Sequence, residues 1–188
     1  MRVVILASGT GSLAQAIFDS VASGELHVEI VGVISDQADA MVLERAAKSE
    51  IKTFIVPITA NRSDWDHDLS MLVQSLNPDL VVSAGFMRIL APDFVSRFRV
   101  INSHPALLPN FPGAHAVRDA LTAGATHTGA TIHWVDEGVD TGKVIAQVRV
   151  DIRADDTQET LHERIKIRER GLIVETIRSL IPVLESEK

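Results

Sequence analysis

The chain has 188 residues, of which 46% are hydrophobic, 23% charged and only 4% aromatic, and its formal net charge is −7. This length and composition are typical of one globular domain with an aliphatic core, and the acidic balance argues against a broad nucleic-acid-binding surface. The absence of cysteine excludes disulfides, zinc–thiolate sites and cysteine nucleophiles, and it fits the cytoplasm. Because the first apolar run stops at Ser8, we expect neither a signal peptide nor a membrane span.

The N-terminal half alternates predicted strands and helices. Apolar, largely β-branched runs predict strands at residues 2–7, 28–34, 53–57, 80–83 and 99–102. Apolar residues at helical spacing predict helices at residues 13–22, 38–49, 63–76 and 92–97. Such alternation indicates an α/β fold with a doubly wound, Rossmann-like, mostly parallel sheet.

The C-terminal half begins with a structured loop at 105–113 and a helix at 116–123. Two runs, 128–135 and 143–150, predict a hairpin-like pair and therefore an antiparallel portion of the sheet. A long helical region follows at 157–184, and Pro182 predicts an interruption in its last turn. We treat 1–188 as a single domain with two halves, at about 1–100 and at about 101–188.

A glycine-rich turn, Ser8-Gly9-Thr10-Gly11-Ser12, joins the first strand to the first helix. Free main-chain N–H groups and the helix dipole at such a turn predict a phosphate site. Two alternatives stay open. Either the turn requires glycine only for its tight geometry, or Gly9-x-Gly11-x-x-Ala14 is a dinucleotide-binding fingerprint in which Asp36 binds a ribose. The dinucleotide alternative gives no role to the polar residues further along the chain.

Asn102 and His104 follow a buried strand, where residues two apart project to the same side. An amide can hold an oxyanion and an imidazole can move a proton, so the pair indicates acyl or proton-transfer chemistry. A structural histidine is the alternative. Asp140 lies in the glycine-rich segment 136–142, where spacing alone favours a turn residue, although its carboxylate could orient His104. His133 is either a supporting partner or an ordinary strand residue, and no histidine pair has the spacing of a metal site.

Five segments together, 8–12, 84–90, 102–109, 111–113 and 133–142, resemble the folate-dependent phosphoribosylglycinamide formyltransferases over nearly the whole chain. The His-Pro-x-Leu-Leu-Pro element at 104–109 is shared with other formyl-folate enzymes, whereas the compact length and the glycine turn specify this branch. The resemblance implies a formyltransferase fold. It implies that the half at about 1–100 binds the nucleotide and its phosphate, and that the half at about 101–188 carries the catalytic and folate-binding loops. It also implies transfer of the formyl group of 10-formyltetrahydrofolate, a co-substrate, to the amine of 5-phosphoribosylglycinamide in de novo purine (IMP) biosynthesis. The implied reaction is direct attack through a tetrahedral intermediate, with no metal.

The resemblance also implies roles for individual residues. The implied catalytic residues are Asn102, His104 and Asp140. Positions implied to bind the nucleotide and its phosphate are Gly11, Ser12, Leu13, Arg62, Gly85, Met87, Lys166 and Glu169, with Lys166 on the phosphate and Glu169 on the ribose hydroxyls. Positions implied to bind folate are Arg88, Ile89, Leu90, Asp136, Glu137 and Asp140, the last three largely through the backbone of their loop.

One departure concerns Leu13-Ala14, where the family usually has Asn-Leu. The side-chain amide is lost, but the main-chain N–H at 13 remains, so we expect phosphate binding to survive.

Three other functions share part of this sequence pattern. A 10-formyltetrahydrofolate hydrolase resembles this domain preceded by a regulatory one, whereas here the catalytic domain starts at Met1. A methionyl-tRNA formyltransferase needs a further C-terminal domain and a basic face. A non-catalytic Rossmann-type nucleotide-binding domain would bind nucleotide without folate chemistry. We expect two small-molecule substrates, no nucleic acid or membrane partner, and either a monomer or a homodimer.

Overall fold

The computed structural model describes residues 1–186, and its frame is one seven-stranded sheet with the order β3-β2-β1-β4-β5-β6-β7. The strands are β1 Arg2–Leu6, β2 Glu29–Ser35, β3 Thr53–Ile55, β4 Leu80–Ser83, β5 Val100–His104, β6 His127–Trp134 and β7 Val144–Asp151. Strands β1 to β5 pair in parallel, whereas β6 is antiparallel to both β5 and β7. The predicted mostly parallel sheet with an antiparallel portion is confirmed.

Helices cover both faces of the sheet. One face carries α1 Ser12–Ala22, α2 Met41–Lys48 and α6 Gln158–Ser186, and the opposite face carries α3 Arg62–Leu76 and α4 Pro92–Arg97. The short helix α5 Ala116–Thr122 packs with β6, β7 and α6 in a smaller cluster.

Alternation along the strands creates two cores: the first core lies between the sheet and α1, α2 and α6, and the second core lies between the sheet and α3 and α4. Val3 and Ile5 are buried against the face of α1 and α6, and Val4 and Leu6 against the face of α3 and α4, because consecutive side chains of a strand point to opposite sides. In the second core the Trp65 ring is fully buried, and its indole N–H donates to the Val56 carbonyl at 2.8 Å.

The structure differs from the prediction at the start of α2 and near the end of α6. Helix α2 begins at Met41 and not at residue 38, because the Ser35 hydroxyl accepts from Gln37 N–H and a turn precedes the helix. The predicted interruption at Pro182 is wrong, since α6 continues through it to Ser186. Proline removes one helical hydrogen bond, but buried Leu180 and Leu184 anchor the helix to the core on both sides of it.

The strand order places the sequence motifs at one edge. The direction of chain progression reverses between β1 and β4, and ligands of such sheets bind beyond the strand ends at that point. The turn after β1 meets the loop after β4 there, because Ser8 N–H donates to the Gly85 carbonyl at 3.1 Å.

Candidate active site

Asn102 is oriented by its neighbours on both adjacent strands. In the parallel register Ser83 of β4 lies beside Asn102, and in the antiparallel register His133 of β6 lies on its other side. The Ser83 hydroxyl donates to Asn102 Oδ1 at 2.8 Å, and Asn102 Nδ2 lies 3.2 Å from His133 Nε2. The amide oxygen is therefore engaged, and the amide nitrogen brings a second N–H to the sheet edge.

His133 has two proton arrangements available. Its Nδ1 lies 2.8 Å from the Trp134 carbonyl, which can only accept, so Nδ1 carries a hydrogen. In the neutral ring Nε2 then accepts from Asn102. A proton on Nε2 would instead be donated to Asp140 Oδ1, 3.4 Å away. His133 can thus hold a proton next to both Asn102 and Asp140.

His104 is 4% exposed and has an oxygen acceptor at each ring nitrogen. Nε2 lies 2.8 Å from the Phe111 carbonyl, and Nδ1 lies 3.3 Å from Asp140 Oδ2. Because a carbonyl and a carboxylate both accept, the doubly protonated imidazolium matches this environment.

Asp140 joins the two histidines and the loop that covers them. Gly113 N–H donates to its Oδ2 at 2.7 Å. Burial raises the pKa of Asp140, but hydrogen bonds from His133 and Gly113 and the charge of His104 outweigh burial, so the pKa lies below its usual value. Its φ of 56° is that of a turn residue, so Asp140 both shapes the loop and supplies the carboxylate. We call Asn102, His104, His133 and Asp140 the acid–base cluster.

The loop at 105–113 is fixed by polar contacts from the antiparallel strands. The Thr131 hydroxyl donates to the Ala106 carbonyl at 2.6 Å and accepts from Leu108 N–H at 3.1 Å. Gln147 Nε2 donates to the Leu108 carbonyl at 2.8 Å. These contacts hold the segment that supplies Phe111 O and Gly113 N–H to the acid–base cluster.

We call the glycine-rich turn 8–12, where the sequence predicts a phosphate site, the phosphate turn. It has the geometry of an open helix N-terminus. Gly11 has φ 71°, and a Cβ there would lie 2.6 Å from the Val42 side chain, so only glycine fits. Helix α1 begins at Ser12, and within residues 1–186 no side chain caps its first turn, which leaves the N–H groups at 12 and 13 directed outward. Arg45 Nε donates to the Thr10 carbonyl at 2.8 Å and adds positive charge to this turn.

The loop segment 85–90 alternates buried and exposed side chains. Met87 and Ile89 are 69% and 62% exposed, whereas Leu90 is buried in the second core, so only its main chain can face a ligand. Arg88 Nε pairs with Asp36 Oδ2 at 2.6 Å. Asp36 is the acid that the dinucleotide alternative assigns to a ribose, and its carboxylate is already paired with Arg88.

Arg62 lies beside the same segment, because its guanidinium donates to the Ile89 carbonyl and pairs with Asp66 at 2.8 Å. It is therefore on the face of α3, opposite the face that carries the phosphate turn. In the loop 136–142, Asp136 Oδ1 accepts from Gly138 N–H at 3.1 Å and from the Thr141 hydroxyl at 2.6 Å, and Glu137 is exposed. The Asp136 side chain therefore stabilises the loop, and the main chain of the loop is the part that can contact a ligand.

Helix α6 places Glu169 and Lys166 on the face of the phosphate turn. Glu169 is buried and its Oε1 accepts from the Ser103 hydroxyl at 2.7 Å, because Ser103 points away from Asn102 and His104. Burial raises the pKa of Glu169 and is only partly opposed by Ser103 and nearby cations. Lys166 pairs with Glu163 at 2.7 Å.

Several contributors were not predicted from the sequence. Ser83 and Ser103 received no role, although the alternation that pairs Asn102 with His104 also directs Ser103 to the other face. Phe111 O and Gly113 N–H are main-chain groups that residue type does not reveal. Across residues 1–186, no group of three or more histidines or acids could hold a metal ion, and no helix has the length and hydropathy to cross a membrane.

These features define an α/β protein in which the acid–base cluster and the glycine-rich turn 8–12 lie at one edge of a mostly parallel sheet. The chain belongs to the formyl transferase family, whose model matches residues 1–177. The resemblance that the sequence motifs indicated is thereby confirmed.

Individual relatives are similar over almost the whole chain. The phosphoribosylglycinamide formyltransferase of Mycobacterium tuberculosis (strain CDC 1551 / Oshkosh) is 48% identical over 183 residues, which cover 95% of this chain and 84% of that protein. The crystal structure of glycinamide ribonucleotide transformylase 1 from Symbiobacterium toebii superposes with a TM-score of 0.92 at 38% identity, covering 95% of this chain and 86% of that one. The crystal structure of phosphoribosylglycinamide formyltransferase from Streptococcus pneumoniae TIGR4 gives a TM-score of 0.87 at 41% identity, covering 96% and 98%.

Proposed function

We propose that this protein transfers the formyl group of 10-formyltetrahydrofolate to the amine of 5-phosphoribosylglycinamide, a step of de novo purine biosynthesis. The observation that carries the proposal is the position of the acid–base cluster relative to the phosphate turn. Ser83 pairs with Leu6, at the end of β1, and with Asn102 on the other side. Since neighbouring strands lie about 4.8 Å apart, two strand spacings, roughly 10 Å, separate Asn102 from Leu6, the end of the strand that leads into the phosphate turn. A phosphorylated ribose spans such a gap and brings its amine to the cluster.

The two substrates approach from different faces of the sheet. The nucleotide lies on the face of α1 and α6, with its phosphate on the main-chain N–H groups of 11–13 and Lys166, and its ribose near Glu169. The folate lies on the face of α3, along Arg62 and segment 85–90 and against loop 136–142. Gly85 and Met87 lie between the two.

The folate side offers what a pteridine ring requires. Met87, Ile89 and Val139 are exposed apolar side chains, and the adjacent main chain can supply donors and acceptors. Arg62 donates to the Ile89 carbonyl of segment 85–90, so we assign Arg62 to the folate side and not to the nucleotide side that the resemblance implies.

The amine attacks the formyl carbon, a C–N bond forms, and the formyl oxygen becomes an oxyanion. Asn102 donates its second amide N–H to this oxygen, and one such donor lowers the barrier by roughly 3–4 kcal/mol. His104 Nδ1–H faces Asp140 at 3.3 Å, which is longer than a charge-assisted hydrogen bond, so this N–H is available to the oxyanion.

Collapse of the intermediate breaks the bond between the formyl carbon and the folate nitrogen, which leaves with the electron pair and needs a proton. The amine has a proton to lose. The Asp140 carboxylate lies between the ring nitrogens of His104 and His133 and can accept a hydrogen bond from each. The cluster can therefore pass the proton from the attacking amine to the folate nitrogen.

The reaction requires two small molecules only, and neither nucleic acid nor membrane takes part. The cysteine-free composition fits a cytoplasmic enzyme, acting as a monomer or homodimer.

One assay tests the function. The absorbance of 10-formyltetrahydrofolate is followed with the protein, in the presence and absence of 5-phosphoribosylglycinamide. We expect turnover only when the nucleotide is present. Turnover without it would assign the protein as a hydrolase, and nucleotide binding with no turnover would assign it as a binding domain. An Asn102→Ala variant, expected to be about 10²–10³-fold slower, controls for contaminating activity.

A further inference from the structure

A buried carboxylate, Asp36, has no part in the reaction described above. It follows β2, and its side chain is 0% exposed. A buried charge is stable only when paired and hydrogen-bonded, because removal from water is costly. The partners of Asp36 therefore indicate what it does.

Its main partner comes from the loop after β4. Asp36 Oδ2 lies 2.6 Å from Arg88 Nε, and the Gln37 side-chain amide donates to the same oxygen at 3.0 Å. Burial raises the pKa of Asp36, but contacts with Ser8, Gln37 and Arg88 outweigh burial and lower it, so the pair stays charged. The pair joins two loops that are 52 residues apart in the chain.

The same segment is held at three further points. Ser8 N–H donates to the Gly85 carbonyl at 3.1 Å, the Ser8 hydroxyl accepts from Met87 N–H at 2.8 Å, and Arg62 donates to the Ile89 carbonyl. With Arg88 drawn inward, its neighbours Met87 and Ile89 point outward.

The geometry points to Asp36 as a positioning residue: through Arg88 it fixes segment 85–90 so that Met87 and Ile89 face the substrates. The Arg88 side chain thus attaches segment 85–90 to Asp36, and the segment contacts folate through its main chain and Ile89. This inference rests on the proposed function for what the segment binds. The attachment itself does not depend on that function.

The kinetic test compares Asp36→Asn with Asp39→Asn, an exposed acid of the same loop that undergoes the same change in charge. We expect Asp36→Asn to raise the KM for 10-formyltetrahydrofolate about tenfold with a smaller change in kcat, since the acid–base cluster is untouched, whereas Asp39→Asn matches the unchanged protein. Arg88→Gln should give a similar KM, and the double variant should be no worse than the poorer single variant, because both changes break one contact. Additive effects of the two changes on KM, or an unchanged KM in Asp36→Asn, would overturn the inference.

Hydrogen exchange gives a readout that does not require turnover. We expect the amides of segment 85–90 to exchange faster in Asp36→Asn and in Arg88→Gln, while strands β1 and β4 keep their protection. If the unchanged protein transfers no formyl group but this exchange pattern holds, the proposed function fails and the attachment stands. If exchange is uniform across the molecule or unchanged, the attachment fails. Arg88 is about one third exposed, so its variant provides the test even where Asp36→Asn does not fold.

Discussion

The phosphate turn and the acid–base cluster lie on nearby strand ends but are built from different parts of the chain. The turn offers main-chain N–H groups at the start of α1, and its one strict requirement is Gly11. The cluster offers side chains, each oriented by another residue, such as Ser83 on Asn102 and Asp140 on His104. Side-chain identity should therefore decide activity in the cluster, and backbone conformation should decide affinity at the turn.

The largest effect is expected at Asp140. Asparagine has nearly the same shape and tolerates the left-handed conformation, so Asp140→Asn removes the charge shared by His104 and His133 without disturbing the loop. We expect the rate constant for formyl transfer to fall by about 10²–10⁴-fold in a single-turnover assay. Asp93→Asn, a 75% exposed acid on α4, is the matched control and should leave the rate unchanged. A rate for Asp140→Asn within threefold of the original would remove Asp140 from the chemistry.

The turn should respond to a change of backbone conformation. Gly11→Ala places a Cβ 2.6 Å from Val42 at a φ of 71°, which must shift the turn or α2. We expect the KM for 5-phosphoribosylglycinamide to rise about tenfold, which corresponds to 1.4 kcal/mol, while kcat changes less. The measurement is steady-state kinetics with varied nucleotide.

Gly24→Ala is the control for Gly11→Ala. Gly24 has a φ of 76°, but a Cβ there would meet nothing within 4 Å. It therefore reproduces the conformational cost far from the site. Equal losses of nucleotide affinity in both variants would show that the turn has no special role.

A third effect, on the pH dependence of stability, is expected at Glu169. Its pKa is raised by burial, so the folded state holds a proton that the unfolded state releases above the ordinary glutamate pKa of 4.5. Stability from this group is complete below that pH and is lost as pH rises toward the folded pKa. We expect Glu169→Gln to gain thermal stability relative to the original protein as pH increases from 4.5, by roughly 2–4 °C in Tm for each kcal/mol.

Glu175→Gln, at an exposed position of the same helix, is the control for Glu169→Gln and should follow the original protein at every pH. The measurement is thermal unfolding at several pH values between 4.5 and 8. A Tm difference for Glu169→Gln that is constant across this range would contradict the assigned burial effect.

The sequence predicted the parts of this molecule that local pattern determines. Alternation placed Asn102 and His104 on one side of β5, and the strand and helix periods predicted the sheet. Pairing between strands is not a local property. Ser83 and His133 lie beside Asn102 only because β4 and β6 flank β5 in a particular register.

Two residues show where local interpretation is incomplete. Spacing predicts Asp140 to be a turn residue, and the resemblance implies a catalytic partner. Its φ of 56° is that of a turn residue, and its Oδ2 lies 3.3 Å from His104 Nδ1. Pro182 carries a local signal to stop a helix, but the packing of Leu180 and Leu184 overrides it. In both cases tertiary contacts decide, and those are absent from a local pattern.

The smallest effect is expected at Leu13, and it is the sharpest test of the comparison. Leu13 is the second residue of α1, so its N–H has no intrahelical partner, and its side chain packs partly against the first core. If main-chain groups bind the phosphate, Leu13→Asn should leave the KM for 5-phosphoribosylglycinamide within about twofold, well below the tenfold that 1.4 kcal/mol represents. It should also lower stability by about 1 kcal/mol through lost apolar burial, and Leu13→Ala should do the same without adding an amide. A much lower KM for the nucleotide in Leu13→Asn alone would show that a side chain at this position contributes to the site. The phosphate turn would then, like the acid–base cluster, depend on side-chain identity.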